Sequence, residues 1–412
     1  MDEICSGLFI DDYVRRRYTV VTPDDVEDIK QKMETEGLDL VISDMESKLD
    51  GWKSQPLHCG ITGSSGTGKS SFINTIRGLT PRDENAASVG VVECTTEPTS
   101  YPDPKNPMLQ YWDLPGVGTP KFPKDESYLQ KIGFERFDFF LIITANRFSE
   151  NDIWLASQIR KAKKNFFFVR SKIDQDLFNE KRCRANFKVK DVMEEIRNDC
   201  VEKLQPDFGN PDIFLISNFD PQKYEFPSLC LKLIDALPQL KKEAMTLSLQ
   251  SLSDTMIVEK KKILQNRVWY VSLMSAAGAC IPFLGASIAI DTALILHELQ
   301  FYRQQFGISK ETLASLSEKV HSDKKNILNN VQILTSIDTT ENLLSLFASF
   351  SSSMAVEEVS RYILGIGTLI SSGLSFSRTY RMLNGQLDQM EKASNEIMAL
   401  TLETMLDADE LD

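Results

Sequence analysis

The segment Gly63–Ser64–Ser65–Gly66–Thr67–Gly68–Lys69–Ser70 obeys the pattern G-x-x-x-x-G-K-[ST]. It stands between a short apolar run, Leu57–Thr62, and an amphipathic run that opens with Ser71 and Phe72. Glycines at that spacing let backbone N–H groups turn inward, at the positive end of the helix that follows, and so cradle phosphate oxygens. Lys69 would reach the β- and γ-phosphates, the Ser70 hydroxyl would complete a Mg²⁺ shell, and Ser71 would continue the binding turn. A chain built around this loop needs a strand before it and a helix after it.

That alternation continues from Leu57 to about Leu240. Strands are expected at LHCGIT, MLQYWDL, FDFFLIIT, NFFFVRS and DIFLIS, most of them near-continuous apolar runs suited to strands covered on both faces. Helices are expected between them, as in NDIWLASQIRKAKK and KDVMEEIRNDCVEKL. The pattern is that of an α/β domain with a mostly parallel sheet and helices on both faces. Residues 23–50 read as two short helices, the first capped by Thr22 and opened by Pro23, with Gly37 as the break between them. Beyond Leu240 the strand signals fade and helical spacing takes over to Asp412. The expected organisation is therefore α/β plus all-α. An N-terminal helical segment (1–54) precedes an α/β domain (55–240), and a C-terminal helical domain (241–412) follows.

Three further motifs follow the phosphate loop in order. YWDLPGVG places Asp113 at a strand end and Gly116 three residues on. The Asp113 carboxylate would hold a Mg²⁺-bound water, and the Gly116 amide would sense the γ-phosphate. Ser171–Lys172–Ile173–Asp174 fits [NT]-K-x-D with a serine in the first place. The Asp174 carboxylate would accept the N1 and N2 hydrogens of guanine, and the Lys172 stem would cover the base. Ser217 and Asn218 follow the last strand, where backbone amides would meet the guanine O6. A guanine nucleotide, GTP or GDP, with Mg²⁺ is the expected ligand. Small GTPases place a water-orienting Gln directly after D-x-x-G, where this chain has Val117, so hydrolysis is expected to be slow or completed by other residues or a partner. In VGVVECTTEPTSY, Thr95 would meet Mg²⁺ and the γ-phosphate and Glu93 would act on the water or across a dimer contact, the alternative being an ordinary polar strand edge.

Composition narrows the rest. A formal charge of −13, from 46 basic and 59 acidic side chains, argues against duplex nucleic acid as a partner and weakens attraction to anionic lipid. Seven scattered cysteines suit free thiols in a reducing compartment. Three histidines and no Cys-x-x-Cys leave no structural zinc motif. An acidic start, with Asp2 where N-myristoylation needs Gly, leads to the expectation of a cytosolic protein without that anchor.

The runs TGSSGTGKSSFINTIRGL, GVVECTTEPTSYPDP, YWDLPGVGTPKFP, FDFFLIITANRFSENDIWLA, FFFVRSKIDQD and FLISNFDP resemble the immunity-related GTPases, the interferon-inducible family of the vertebrate cytosol. Lys69 matches its GKS branch, because the other branch carries Met there. The resemblance implies a Ras-like P-loop GTPase domain inserted in a helical domain built from both chain ends. It also implies GTP-dependent self-association through the nucleotide face, contacts with related GTPases, and hydrolysis accelerated in the complex. It implies cell-autonomous immunity at pathogen vacuoles or internal membranes, with peripheral membrane contact. Glu93 and Thr95 match family positions tied to activation and Mg²⁺. Two positions depart from the family: Ser64 stands where many relatives carry Glu, and Ser171 where Thr is usual.

Two readings of the same motifs stay open beside each other: a GTPase that assembles and hydrolyses, and a GTP-bound scaffold with negligible turnover, which Val117 and Ser64 favour. A dynamin-like mechanoenzyme is a third, and would tubulate liposomes. The uncharged run Val268–Ile290 is long enough to span a bilayer, yet Pro282 and Gly285 interrupt it. It is expected to form a buried helical hairpin, with lipid insertion as the alternative. Tyr362–Ser377 is too short to span. The basic cluster Lys260–Lys262 is expected on a solvated helix face rather than against lipid.

Overall fold

The computed structural model describes residues 31–32, 35–90, 97–119, 121–278, 286–308, 312–314, 331, 337, 342–343 and 373–409. The chain divides into two compact units, Lys53–Leu252 and Met1–Trp52 with Ser253–Asp412. Helix α1 (Leu38–Asp50) belongs to the second of these; the helix expected to begin at Pro23 lies largely outside the described residues.

The first unit is built on β1 (Leu57–Thr62), β2 (Thr99–Pro102), β3 (Leu109–Asp113), β4 (Phe139–Thr144), β5 (Asn165–Arg170) and β6 (Ile213–Leu215). They form one sheet in the order β2-β3-β1-β4-β5-β6. Every pairing is parallel except that of β2 with β3. The apolar runs explain this layout. All six residues of β4 are buried, as a strand covered on both faces requires, and their alternation is correspondingly lost. β1 sits between β3 and β4, so successive connections leave it in opposite directions. In open α/β sheets the crevice beyond the strand ends at such a point is where ligands bind, and β1 ends at Thr62, one residue before the phosphate loop.

The helices of this unit are α2 (Lys69–Ile76), α3 (Glu126–Ile132), α4 (Glu150–Lys161), α5 (Ile173–Cys183), α6 (Val189–Phe208), α7 (Phe226–Asp235) and α8 (Gln239–Ser248). α3 to α6 enclose one cluster with the sheet, in which Tyr128, Phe140, Leu155, Phe168, Ile173 and Leu204 are all buried. Residues 241–252, expected in the C-terminal helical segment, lie within this unit. The Gln250 amide donates to the Thr75 carbonyl at the end of α2 (2.8 Å), and Leu249 is buried. Helical periodicity records that a face is buried but not which core buries it, and so the junction moves from 240 to 252.

In the second unit α9 (Asp254–Gly278) packs against α1, α10 (Ala286–Phe306) and α11 (Gly373–Asp409). The basic cluster is not a solvated face. Lys260 is fully buried and donates to the Gln305 carbonyl (2.9 Å), Lys261 bridges Asp388 and Glu391 (2.6 Å each), and Lys262 pairs with Glu259 (3.1 Å). Carboxylates and a carbonyl on neighbouring turns and helices replace water there, a partnership that one helix's own pattern does not reveal. Arg267, which precedes the uncharged run, is buried in a bidentate pair with Glu298 (2.6 and 2.9 Å). Val268, Val271, Leu273 and Met274 are buried within the same unit. Among the described residues no helix is long and apolar enough to cross a membrane. The turn of the expected hairpin, 279–285, and residues 362–372 lie outside the described residues.

Candidate nucleotide-binding site

The phosphate loop is shaped by close approach. A Cβ on Gly63, whose φ is +145°, would sit 2.0 Å from the Ile143 carbonyl oxygen of β4, so only glycine lets the loop leave β1 here. Gly66 and Gly68 also have positive φ, 77° and 88°, and Gly68 caps α2. Ser64, Ser65 and Gly66 form an exposed lip. Thr67 closes the loop on itself, its hydroxyl donating to the Ser64 carbonyl (2.9 Å). The Lys69 ammonium, largely buried, donates to the carbonyls of Gly63 (3.0 Å) and Ser64 (3.2 Å) and so lies across the mouth of the cradle.

β1 and β3 pair in parallel, with Ile61 opposite Asp113, which brings the end of β3 to the start of α2. The Ser70 hydroxyl donates to Asp113 Oδ2 at 3.0 Å. A hydroxyl and a buried carboxylate at the rim of a phosphate cradle are hard oxygen donors of the kind Mg²⁺ takes, so this pair fits the ion. Gly116 follows on the same loop, and a Cβ there would meet the Gly63 carbonyl oxygen at 3.3 Å. Val117 packs its side chain against the α3–α6 cluster.

On the other side of β1, β5 and β6 carry the remaining motifs. Ser171, fully buried at the end of β5, donates from its hydroxyl to the Thr67 carbonyl (2.6 Å) and to the Thr144 carbonyl (3.2 Å). Lys172 adopts the left-handed conformation (φ 62°, ψ 30°) and turns the chain into α5. Two acids share the first turn of that helix. Asp176 is committed to Arg170 (2.5 Å); burial raises its pKa while the Arg170 charge opposes the rise. Asp174 instead borders an open hollow with Gln175, Phe178 and Asn179. Ser217, buried after β6, accepts the amides of Phe219 and Asp220 (3.2 Å each). The Asn218 side-chain amide donates to the Gly68 carbonyl (3.1 Å), and the Thr75 hydroxyl of α2 donates to the Asn218 carbonyl (2.8 Å).

The family model described as Interferon-inducible GTPase (IIGP) matches residues 22–390. The chain belongs to the interferon-inducible GTPase family. It is 34% identical over 390 residues to Interferon-inducible GTPase 5 of Rattus norvegicus, covering 93% of this chain and 84% of that protein. The Bos taurus protein of the same name is 37% identical over 353 residues, covering 84% and 76% of the two chains. Interferon-inducible GTPase 1 of Mus musculus is 39% identical over 278 residues, covering 67% and 66%. As an interferon-inducible GTPase, the protein is an enzyme that turns over GTP, and its fold joins a Ras-like sheet domain to helical segments.

Within this interferon-inducible GTPase, the residues expected at the site are distributed as follows. Gly63–Ser71, Asp113, Gly116, Lys172, Asp174, Ser217 and Asn218 lie at or beyond the C-terminal ends of β1, β3, β5 and β6, all at one end of the parallel strands. Glu93 and Thr95 lie outside the described residues. Ser171 and Asn218 do more than their motifs foretold, because both bind phosphate-loop carbonyls with their side chains. Tyr128, whose hydroxyl donates to the Pro115 carbonyl (3.0 Å), went unread because an isolated Tyr on an amphipathic helix has the signature of a core residue. Asn151 opens the expected helix NDIWLASQIRKAKK, and nothing in that helical spacing marks its side chain as reaching the Val117 carbonyl.

Proposed function

We propose that this GTPase binds GTP with Mg²⁺ in the cradle at the end of β1, assembles in that state with further copies or related GTPases, and hydrolyses the nucleotide to reset. Lys69 and the loop amides of Gly63 to Ser71 take the phosphates, and Ser70, Asp113 and Thr95 hold the cation. When bound, the cation neutralises charge on the β- and γ-phosphate oxygens. Asp174 reads guanine, Lys172 covers the base, and Ser217 and Asn218 close its far side. Gly116 senses the γ-phosphate, and Glu93 acts on the attacking water or across the assembly. In-line attack by water needs positioning and charge neutralisation and no covalent nucleophile.

The observation that carries this reading is the pair of hydrogen bonds from Ser171 to the Thr67 carbonyl and from Asn218 to the Gly68 carbonyl. Through them the loops that would read the base are tied to the loop that would hold the phosphates. A base and a phosphate tail gripped by one hydrogen-bonded body is what discrimination of a nucleotide requires. Val117 packs against the core cluster and leaves no side chain at that position to orient water, so turnover needs other residues or a second molecule to complete the machinery. The same observation favours the alternative, a low-turnover GTP-bound scaffold. The setting proposed is cytosolic, interferon-inducible cell-autonomous immunity at internal or pathogen-vacuole membranes, reached by peripheral contact.

Hydrolysis per molecule, measured over a roughly hundredfold range of protein concentration with Lys69→Ala as the blank, separates the two. A rate that climbs with concentration means assembly completes the site. A flat rate near the blank means the scaffold. Asp174→Asn tests the base: preference moves from guanine to xanthine nucleotides, and unchanged GTP binding would sink the assignment.

A further inference from the structure

The carbonyls on the two sides of Gly116 are both held by side chains from helices. The hydroxyl of buried Tyr128, on α3, donates to the Pro115 carbonyl at 3.0 Å. The Asn151 side-chain amide, in the first turn of α4, donates to the Val117 carbonyl at 2.9 Å. That approach is so close that a Cβ on Gly118, whose φ is +90°, would lie 2.3 Å from Asn151 Nδ2. The helical turn that carries Asn151 is capped. Ser149 caps α4, and Asp152 completes a capping box by accepting the Ser149 amide and hydroxyl (2.8 Å each). On the far side, the Gly118 amide donates to the Phe122 carbonyl (2.8 Å).

Peptide geometry turns these contacts into a statement about one amide. A trans peptide is planar, and its N–H points opposite to its C=O. Fixing the Pro115 oxygen therefore fixes the direction of the Gly116 N–H, and fixing the Val117 oxygen fixes the next peptide but one. Only the soft dihedrals between these planes remain, and Gly116 would otherwise be the residue with most freedom to turn. A Cβ on Gly116 would stand 3.3 Å from the Gly63 carbonyl oxygen, so the loop that carries this amide runs beside the phosphate cradle.

We propose that Tyr128 and Asn151 are positioning residues for GTP hydrolysis, orienting the Gly116 amide from behind through the Pro115 and Val117 carbonyls. The inference rests on the reading of Gly116 as the γ-phosphate sensor. Neither side chain touches the nucleotide. Their effect falls on what distinguishes a triphosphate from a diphosphate, and not on the grip on base and α- and β-phosphates.

The test uses the full chain at one fixed protein concentration, with mant-GDP and mant-GMPPNP as binding probes and single-turnover GTP hydrolysis as the rate. Tyr128→Phe removes one oxygen and keeps the ring that fills the core. Asn151→Asp keeps the shape and replaces the donor with an acceptor facing the Val117 carbonyl. Each is expected to slow hydrolysis by about tenfold or more and to weaken mant-GMPPNP by a comparable factor, while mant-GDP affinity stays within about twofold. A variant that loses both probes in parallel, or that hydrolyses at the wild-type rate, overturns the inference. Gly116→Ala locates the failure. If it leaves the ratio of mant-GMPPNP to mant-GDP affinity unchanged, the sensor reading itself is wrong. If it shifts that ratio while Tyr128→Phe and Asn151→Asp do not, the sensor stands and the positioning role falls.

Discussion

At Gly63 the chain passes so close to β4 that a hydrogen fits where a methyl would not, since a Cβ would stand 2.0 Å from a backbone oxygen that no rotamer can move. Gly63→Ala must displace either the loop or β4. The expected outcome is a loss of mant-GDP affinity of roughly hundredfold, the equivalent of about 3 kcal/mol of backbone strain. Gly66 has a positive φ but nothing within 4 Å of a Cβ, so Gly66→Ala carries only the left-handed strain, on the order of 1–2 kcal/mol. Comparing the two variants by fluorescence titration separates steric from conformational cost; equal losses would mean the approach to Ile143 is not what requires glycine. The motif fixes glycine at 63 and leaves 66 open, and the approach to the neighbouring strand supplies the reason at 63.

The hairpin β2–β3 carries a buried acid whose ionisation is legible in its surroundings. Asp103, in the turn, accepts the amides of Lys105 (2.9 Å) and Asn106 (3.1 Å). Burial nevertheless pushes its carboxyl up to about 6, against those amides and the charges of Lys105 and Arg77. A folded-state pKa above the unfolded value means the folded state holds the proton more tightly. This group's stabilising contribution is therefore full below about pH 4, falls as pH rises toward 6, and stays flat above it. Asp103→Asn removes that dependence. The stability difference between variant and wild type should shift in the variant's favour by about 2–3 kcal/mol between pH 4 and pH 7, read by urea unfolding. A pH-independent difference would show that the carboxyl ionises normally. At this scale the sequence also missed an element. β2 is four residues, Thr-Ser-Tyr-Pro, with exposed ends and one partner, and an edge strand of that kind has no apolar run to announce it.

Each of the two units has its own buried core, and each has a handle of its own. In the helical unit Glu298→Gln leaves the Arg267 guanidinium buried without its countercharge, beside the Phe301 ring (4.4 Å). Breaking one partner of a buried pair costs about 3–5 kcal/mol. Segment-resolved hydrogen exchange should place the loss of protection in α9 and α10. GDP at roughly a hundred times its Kd should add about 2.7 kcal/mol to the unit that binds it. The added protection should fall in β1, α2, β5 and the segment after β6. Protection gained mainly in α9 and α10 would contradict the placement of the nucleotide on the sheet unit.

The sequence by itself determined what is written in consecutive residues: the phosphate loop, the order of the motifs after it, and strands β1 and β3 to β6. Backbone chemistry and side-chain period act over a few positions, and they are visible there. Tertiary structure alone decided which distant groups meet. It carried Ser171 to a carbonyl 104 residues away and Asn218 to one 150 residues away. It sank Lys260 among partners, drew residues 241–252 into the sheet unit, and set Tyr128 and Asn151 behind Gly116. The reason is physical. A pattern of polar and apolar residues states that a surface must be covered or a charge must be paired, but the identity of the partner is fixed only when the chain has closed on itself.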